Sequence, residues 1–201
     1  PRGMSSAASD VYKRQYPFTP GIDVAGKIIE SSSNKFSAGD MVIATGYKIG
    51  MSENGGFGEI VHLPINWVLK MPNNLNCETA MYYGTAGITA AACVKKIVDA
   101  GCSTSLPVLV SGATGGVGSV AVGILSKIGY EVHAITGKPQ ENEVLKKMGA
   151  KTIIDRNEFL QDPIKPMDKA LYSSAVDTVG GDILAKTLTM VSNNGVVTCC
   201  G

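Results

Sequence analysis

"PVLVSGATGGVGSVAVGILSKIGYEVHAITGK", Pro107 to Lys138, decides how this chain folds. An apolar run, Val108 to Ser111, leads into four glycines within seven residues: Gly112, Gly115, Gly116 and Gly118. A helical stripe follows, with Val117, Val120, Ala121, Ile124, Leu125 and Ile128 recurring at turn spacing. A second strand-like run, Glu131 to Thr136, closes the stretch. Strand, glycine turn, helix and strand in this order predict one βαβ crossover and hence a parallel sheet.

The pattern continues outward. "ENEVLKKMG", "KTIID", "AVDTVG", "DILAKTLTMVSNNG" and "VVTCCG" alternate helix and strand, with strand starts expected near Val108, Glu131, Lys151, Ala175 and Val196. Upstream, "AGITAAACVKKIVDAG" has helical spacing, and Asn76 with Glu78 two residues on suits a helix start. From Tyr16 to Pro72 the texture changes to short strands and turns. "IDVAGKIIES", "MVIATGY", "GGFGEIVHLP" and "WVLKMP" each read as a strand, the third opening on loop glycines. The expected architecture is α/β: a partial β domain over 16–79, then a doubly wound parallel sheet over 80–201.

The totals narrow the function. The chain has 201 residues, a net charge of +1, 44% hydrophobic and 17% charged residues. That balance argues against a nucleic-acid surface and against disorder. No apolar run approaches the roughly 18 residues of a membrane-spanning helix. Cys77, Cys93, Cys102, Cys199 and Cys200 form no CxxC pair. Scattered and odd in number, they read as reduced thiols, with a cytoplasmic location expected. With only His62 and His133 available, no metal site is expected. The adjacent Cys199 and Cys200 read as buried thiols of a central strand, and Tyr82 and Tyr83 as packing residues. The first fifteen residues, "PRGMSSAASDVYKRQ", show no period, resemble translated sequencing-adapter read-through, and are set aside from the fold. A strand at "GVVTCCG", ending the sequence, reads as part of a longer protein.

The glycine turn predicts a dinucleotide. The first glycine permits the tight turn, the second lets backbone approach a pyrophosphate, and the third lets helix and strand close together. Helix-start N–H groups attract the phosphates. The bland alternative is a tight turn with no ligand. The next strand then bears on which dinucleotide. Enzymes that prefer NAD end it with an acid for the ribose hydroxyl; here it ends in Thr136-Gly137-Lys138. Thr136 can donate a hydrogen bond, and Lys138 and Arg156 can pair with a 2′-phosphate. NADPH is therefore the expected cofactor.

Together "YPFTPGIDVAGKI", "AGDMVIATGY", "GGFGEIV", "GTAGITA", "SGATGGVGSVAV", "LKKMGAKTII" and "AVDTVGG" resemble the zinc-free medium-chain dehydrogenases/reductases, in the branch of acryloyl-CoA reductases and YhdH-type quinone oxidoreductases. The likeness runs from about Tyr16 to Gly201. In zinc-dependent relatives "PGIDVAG" carries a His–Glu pair where this chain has Ile22 and Asp23. The resemblance implies a GroES-like catalytic domain, a Rossmann domain and a homodimer at full length. It implies NADPH-dependent reduction of acryloyl-CoA to propionyl-CoA, or of a quinone or other activated alkene. By matching positions it implies a phosphate loop of Thr114, Gly115, Gly116 and Val117, and a 2′-phosphate region of Thr136, Gly137, Lys138 and Arg156. Thr85 opens a helix facing the nicotinamide end in the family, where a plain cap is an equal reading. No catalytic acid is named from these residues. A third reading is a non-catalytic protein that binds NADPH.

Overall fold

The computed structural model describes residues 17, 19–164 and 169–200. The reading of residues 1–15 lies outside them. The chain divides into two compact units, one ending at Thr85 and the other beginning at Ala86.

The first unit holds an antiparallel sheet of β1 (Asp23–Lys27), β2 (Met41–Thr45) and β3 (Leu69–Lys70), in that order. Asp23 pairs with Thr45 and Lys27 with Met41. The turn expected at "SAGD" joins β1 to β2. Gly39 takes φ +100°, Asp40 accepts from the Ser37 N–H at 3.0 Å, and Ile28 exchanges backbone bonds with Gly39 and Asp40. The Ser37 N–H and then Lys70, 3.2 Å away, hold the Asp40 carboxyl below its ordinary range. Few side chains are deeply buried here: Val42, Ala44, Ile49, Met71 and Ala80.

The strand expected in "GGFGEIVHLP" does not form. The N–H groups of Gly55, Gly56 and Phe57 bond instead to the carbonyls of Thr19, Gly21 and Pro20. A Cβ on Gly55 would stand 2.3 Å from the Gly21 oxygen. These glycines serve a close backbone crossing, so no ladder is available to the residues after them.

A helical run, α1 (Cys77–Asp99), starts as expected: the Asn76 carboxamide accepts from the Thr79 N–H at 2.8 Å. It breaks at Gly84, whose φ of 45° and ψ of −146° are not helical. Tyr82 and Tyr83 are exposed rather than packed, and the Tyr82 hydroxyl donates to Glu78 at 2.6 Å.

The second unit is a five-stranded parallel sheet. Its strands are β4 (Val108–Val110), β5 (Val132–Thr136), β6 (Thr152–Asp155), β7 (Ser174–Asp177) and β8 (Val197–Cys199), in the order β6-β5-β4-β7-β8. Each begins within one residue of its expected start. Helices α2 (Gly116–Lys127), α3 (Asn142–Lys147), α4 (Arg156–Phe159) and α5 (Gly181–Met190) complete the crossovers.

Alternation along β4 explains the layering. Val108 and Val110 join one apolar cluster with Ala90, Val94, Ile97, Val122 and Leu125. Leu109 points the other way, into a cluster with Ile135, Phe159, Tyr172 and Ile183. Both faces of the sheet are covered, as an all-parallel sheet requires. In α2 the deepest positions are Gly118, Ala121, Val122 and Leu125, while Ile128 at the end of the expected stripe is exposed. The glycine draws that side of the helix closest to the sheet.

Cys199 and Cys200, expected as buried thiols of a central strand, lie elsewhere. β8 is an edge strand among the described residues, so Cys199 is exposed and Cys200 half-buried. The Cys200 thiol lies 3.8 Å from that of Cys93, and burial, then Cys93, pushes it up to about 12. All five cysteines are free.

Candidate functional site

Sheet order places β4 between β5 and β7, so connections leave it in opposite directions. A crevice opens at the carboxyl ends of the strands at such a switch point. The structure has a cleft of about 450 Å³ there, and residues from the ends of β4, β5, β6 and β7 line it.

The glycine turn forms one wall. Gly112 has φ +58°, a conformation that favours glycine, and its carbonyl accepts from the Gly115 N–H at 2.8 Å. A Cβ on Gly118 would sit 2.4 Å from the Gly112 oxygen and 2.8 Å from the Ala113 Cα. The third glycine is therefore fixed by close helix–strand packing. Gly115 caps α2 with extended backbone; no side chain caps the helix, and no acid stands in its first turn. The leading N–H groups of a twelve-residue helix thus meet the cleft without a carboxylate of their own, which suits a phosphate.

The opposite wall carries the cations. Of the eight residues expected to hold the dinucleotide, Thr114, Gly115, Thr136, Gly137, Lys138 and Arg156 line this cleft; Gly116 and Val117 begin α2 beside it. The Arg156 guanidinium lies over Gly137, where a Cβ would come within 3.2 Å of its central carbon. Among the described residues, neither this guanidinium nor the Lys138 ammonium has an ion-pair partner. The nearby Asp155 carboxylate is turned away: it accepts from the Asn157 N–H at 2.7 Å and the Glu158 N–H at 3.3 Å, capping α4.

Thr136 takes a less direct position than its residue type suggests. It is 4% exposed. Its hydroxyl accepts from the Lys138 N–H at 3.0 Å and shares a hydrogen bond with the Thr114 hydroxyl at 3.2 Å. It braces both walls of the cleft from below.

Gly112, read from the sequence as the glycine of the tight turn, also lines the cleft, as do Ile135, Thr178, Val179 and Ile183, which were not singled out. The signal was present in "DTVGG": a glycine-rich turn after the strand that neighbours β4.

Thr85 is engaged within the first unit. Its N–H and its hydroxyl both reach the Asp23 carboxylate, at 2.8 and 2.7 Å. A Cβ on Gly84 would meet that carboxylate at 2.7 Å. Asp23 therefore caps the helical run where it resumes after Gly84. The first unit also has a larger hollow of about 670 Å³, lined by apolar residues such as Ile29, Phe57 and Ile60 and by polar ones such as Lys27, Glu59 and His62. The smaller cleft is the stronger candidate because the glycine turn, a helix start and the two cations meet there. Among the described residues no three His, Cys, Asp or Glu side chains gather as metal ligands. His62 is exposed, and His133 faces Glu131 at 3.2 Å and the edge of Tyr172.

Residues 3–73 match the alcohol dehydrogenase GroES-like domain, and residues 116–201 match the family described as zinc-binding dehydrogenase. The chain is 41% identical to a Bacillus subtilis protein named as a quinone oxidoreductase, YhfP, over 99% of this chain and 61% of that protein. It is 39% identical to the acrylyl-CoA reductase AcuI of Ruegeria pomeroyi, over 94% of this chain and 57% of that protein. Among solved structures, Escherichia coli YhdH with bound NADPH superposes with a TM-score of 0.89 at 40% identity, covering 94% of this chain and 58% of that one. Bacillus subtilis YhfP with NAD bound gives 0.91 at 39% identity, covering 100% and 63%. The chain spans about three-fifths of the length of these relatives.

Proposed function

The chain belongs to the medium-chain dehydrogenase/reductase family, and from that premise we propose that it binds NADPH and serves the reduction of an activated carbon–carbon double bond, with acryloyl-CoA as substrate. The observation that carries the cofactor reading is the pair of cations Lys138 and Arg156, without an ion-pair partner among the described residues, on the cleft wall opposite the glycine turn.

The residues fit the dinucleotide. At Gly112 and Gly118 the turn has no room for a Cβ, and the start of α2 offers N–H groups to a pyrophosphate. Lys138 and Arg156 would hold the 2′-phosphate, the arginine by its planar fork and the lysine as a point charge. Asp155, whose charge would repel that phosphate, is occupied at α4. When bound, the cofactor supplies the hydride that adds to the β-carbon of the enoyl thioester. The chain's share is to fix the dinucleotide and to keep it in one register against the sheet.

Acryloyl-CoA is favoured by the reductase at 39% identity, and NADPH by the YhdH structure at 40%. A second reading, reduction of quinones, is favoured by the name of the relative at 41% identity. Free cysteines fit a reducing compartment and a cytoplasmic location. A homodimer at full length completes the proposal; sedimentation velocity tests it.

The functional test is NADPH oxidation with acryloyl-CoA, with a simple quinone and with no electrophile, on a chain carried to the length of its relatives. Turnover selective for acryloyl-CoA is expected. Equal turnover on both would favour the general reductase, and tight NADPH binding without oxidation would favour a non-catalytic role.

A further inference from the structure

We propose that Asp177 is a positioning residue of the dinucleotide cleft, acting through Ser111 to lock the glycine turn against the turn after β7. The inference rests on the reading that this cleft takes a dinucleotide.

Asp177 ends β7 and is 2% exposed; Ser111, just past the end of β4, is also 2% exposed. The Ser111 hydroxyl donates to Asp177 Oδ1 at 2.5 Å, and the Gly180 N–H donates to Oδ2 at 2.8 Å. The same serine oxygen accepts from the Thr178 N–H at 3.0 Å, and the Thr178 hydroxyl donates to the Ser111 carbonyl at 3.0 Å. One carboxylate and one hydroxyl thus join residue 111 to residues 177–180, across 66 positions of sequence. Both partners sit one step from the ligand wall. Gly112 follows Ser111, Thr178 and Val179 follow Asp177, and all three line the cleft. The fit is close: a Cβ on Gly112 would lie 2.2 Å from the Thr178 hydroxyl.

Among the described residues Asp177 has no cationic partner. A buried carboxylate held only by neutral donors is costly unless those donors are well placed. Here they are two strand ends whose separation sets the width of the turn that would receive the pyrophosphate. Asparagine keeps the shape. It removes the charge and offers an N–H₂ where the site needs an acceptor for either Ser111 or Gly180. The spacing of the two turns then relaxes, while Lys138 and Arg156, just past the ends of β5 and β6, keep their places.

This separates two parts of one ligand. Asp177→Asn in the full chain is expected to weaken NADPH about tenfold, the value of one charge-assisted hydrogen bond. Adenosine 2′-monophosphate, which has no 5′-phosphate and no nicotinamide, should bind as it does to the wild type. Calorimetric titration of both ligands, with melting curves for each protein, reads the difference. Unchanged NADPH affinity would overturn the proposal. So would equal weakening of both ligands, the mark of a merely structural role. If Asp177→Asn does not fold, Ser111→Ala decides by the same two titrations. Failure of the wild type itself to bind NADPH would overturn both the proposed function and this inference, whereas an unchanged variant beside a binding wild type sinks the inference alone.

Discussion

The two units of this chain are built on opposite terms. In the parallel unit the central strand β4 is wholly buried, with Val108, Leu109 and Val110 at 0% exposure. In the antiparallel unit large apolar side chains face outward: Ile60 is 77% exposed, Phe57 70% and Leu69 64%. The parallel unit has apolar clusters on both faces of its sheet. The antiparallel unit is held largely by backbone: glycine crossings at 55–57, the hairpin at Gly39 and the Asp23 cap at Thr85. Side-chain burial should dominate stability in one, and turn geometry and single polar contacts in the other.

The largest effect expected is a contrast between two leucines on strands. Leu109→Ala in β4 should cost about 2–5 kcal/mol, while Leu69→Ala in β3 should stay within about 0.5 kcal/mol. Urea unfolding of both variants checks this, and similar costs would break the comparison. Next is Gly118→Ala. Its methyl would overlap the Gly112 carbonyl and the Ala113 Cα, so a loss of about 1–3 kcal/mol is expected, together with weaker NADPH binding. A variant of native stability and affinity would show that the turn has slack. In the antiparallel unit, Asp23→Ala should cost about 1 kcal/mol, typical of a lost helix cap, with faster amide exchange at Thr85. The smallest effect concerns reactivity. With Cys200 pushed up to about 12 by burial and then by Cys93, its thiol stays protonated at neutral pH. Iodoacetamide at pH 8 should therefore label the half-buried Cys77 well before Cys200, and Cys200 labelling should climb as pH rises. Peptide mass mapping distinguishes the two, and prompt Cys200 labelling would contradict the environment described.

The same contrast governs what the sequence discloses. Each βαβ step is local: a buried run, a glycine turn and a helix stripe within some thirty residues. The starts of all five parallel strands were legible for that reason, and so were the cations at Lys138 and Arg156. Glycine alone is ambiguous. At Gly118 it marks a helix packed on its own turn, whereas at Gly55 it marks a crossing with residues 19–21, and the strand read after it does not form. Side-chain partners distant in sequence leave no local trace. Asp177 with Ser111, and Asp23 with Thr85, are 66 and 62 residues apart. Thr136 was legible as a polar residue at the cleft, but its inward-turned hydroxyl follows from Thr114 meeting it across the strand ends.

The central claim is that this cleft distinguishes the extra phosphate of NADPH. The direct test is a titration of NADPH and NADH against the wild type and the double variant Lys138→Ala/Arg156→Ala. Binding of NADPH at least about tenfold tighter than NADH is expected for the wild type, falling to near parity in the variant, with NADH affinity little changed. Equal affinity of the wild type for both dinucleotides, or a preference that survives removal of both cations, would contradict it.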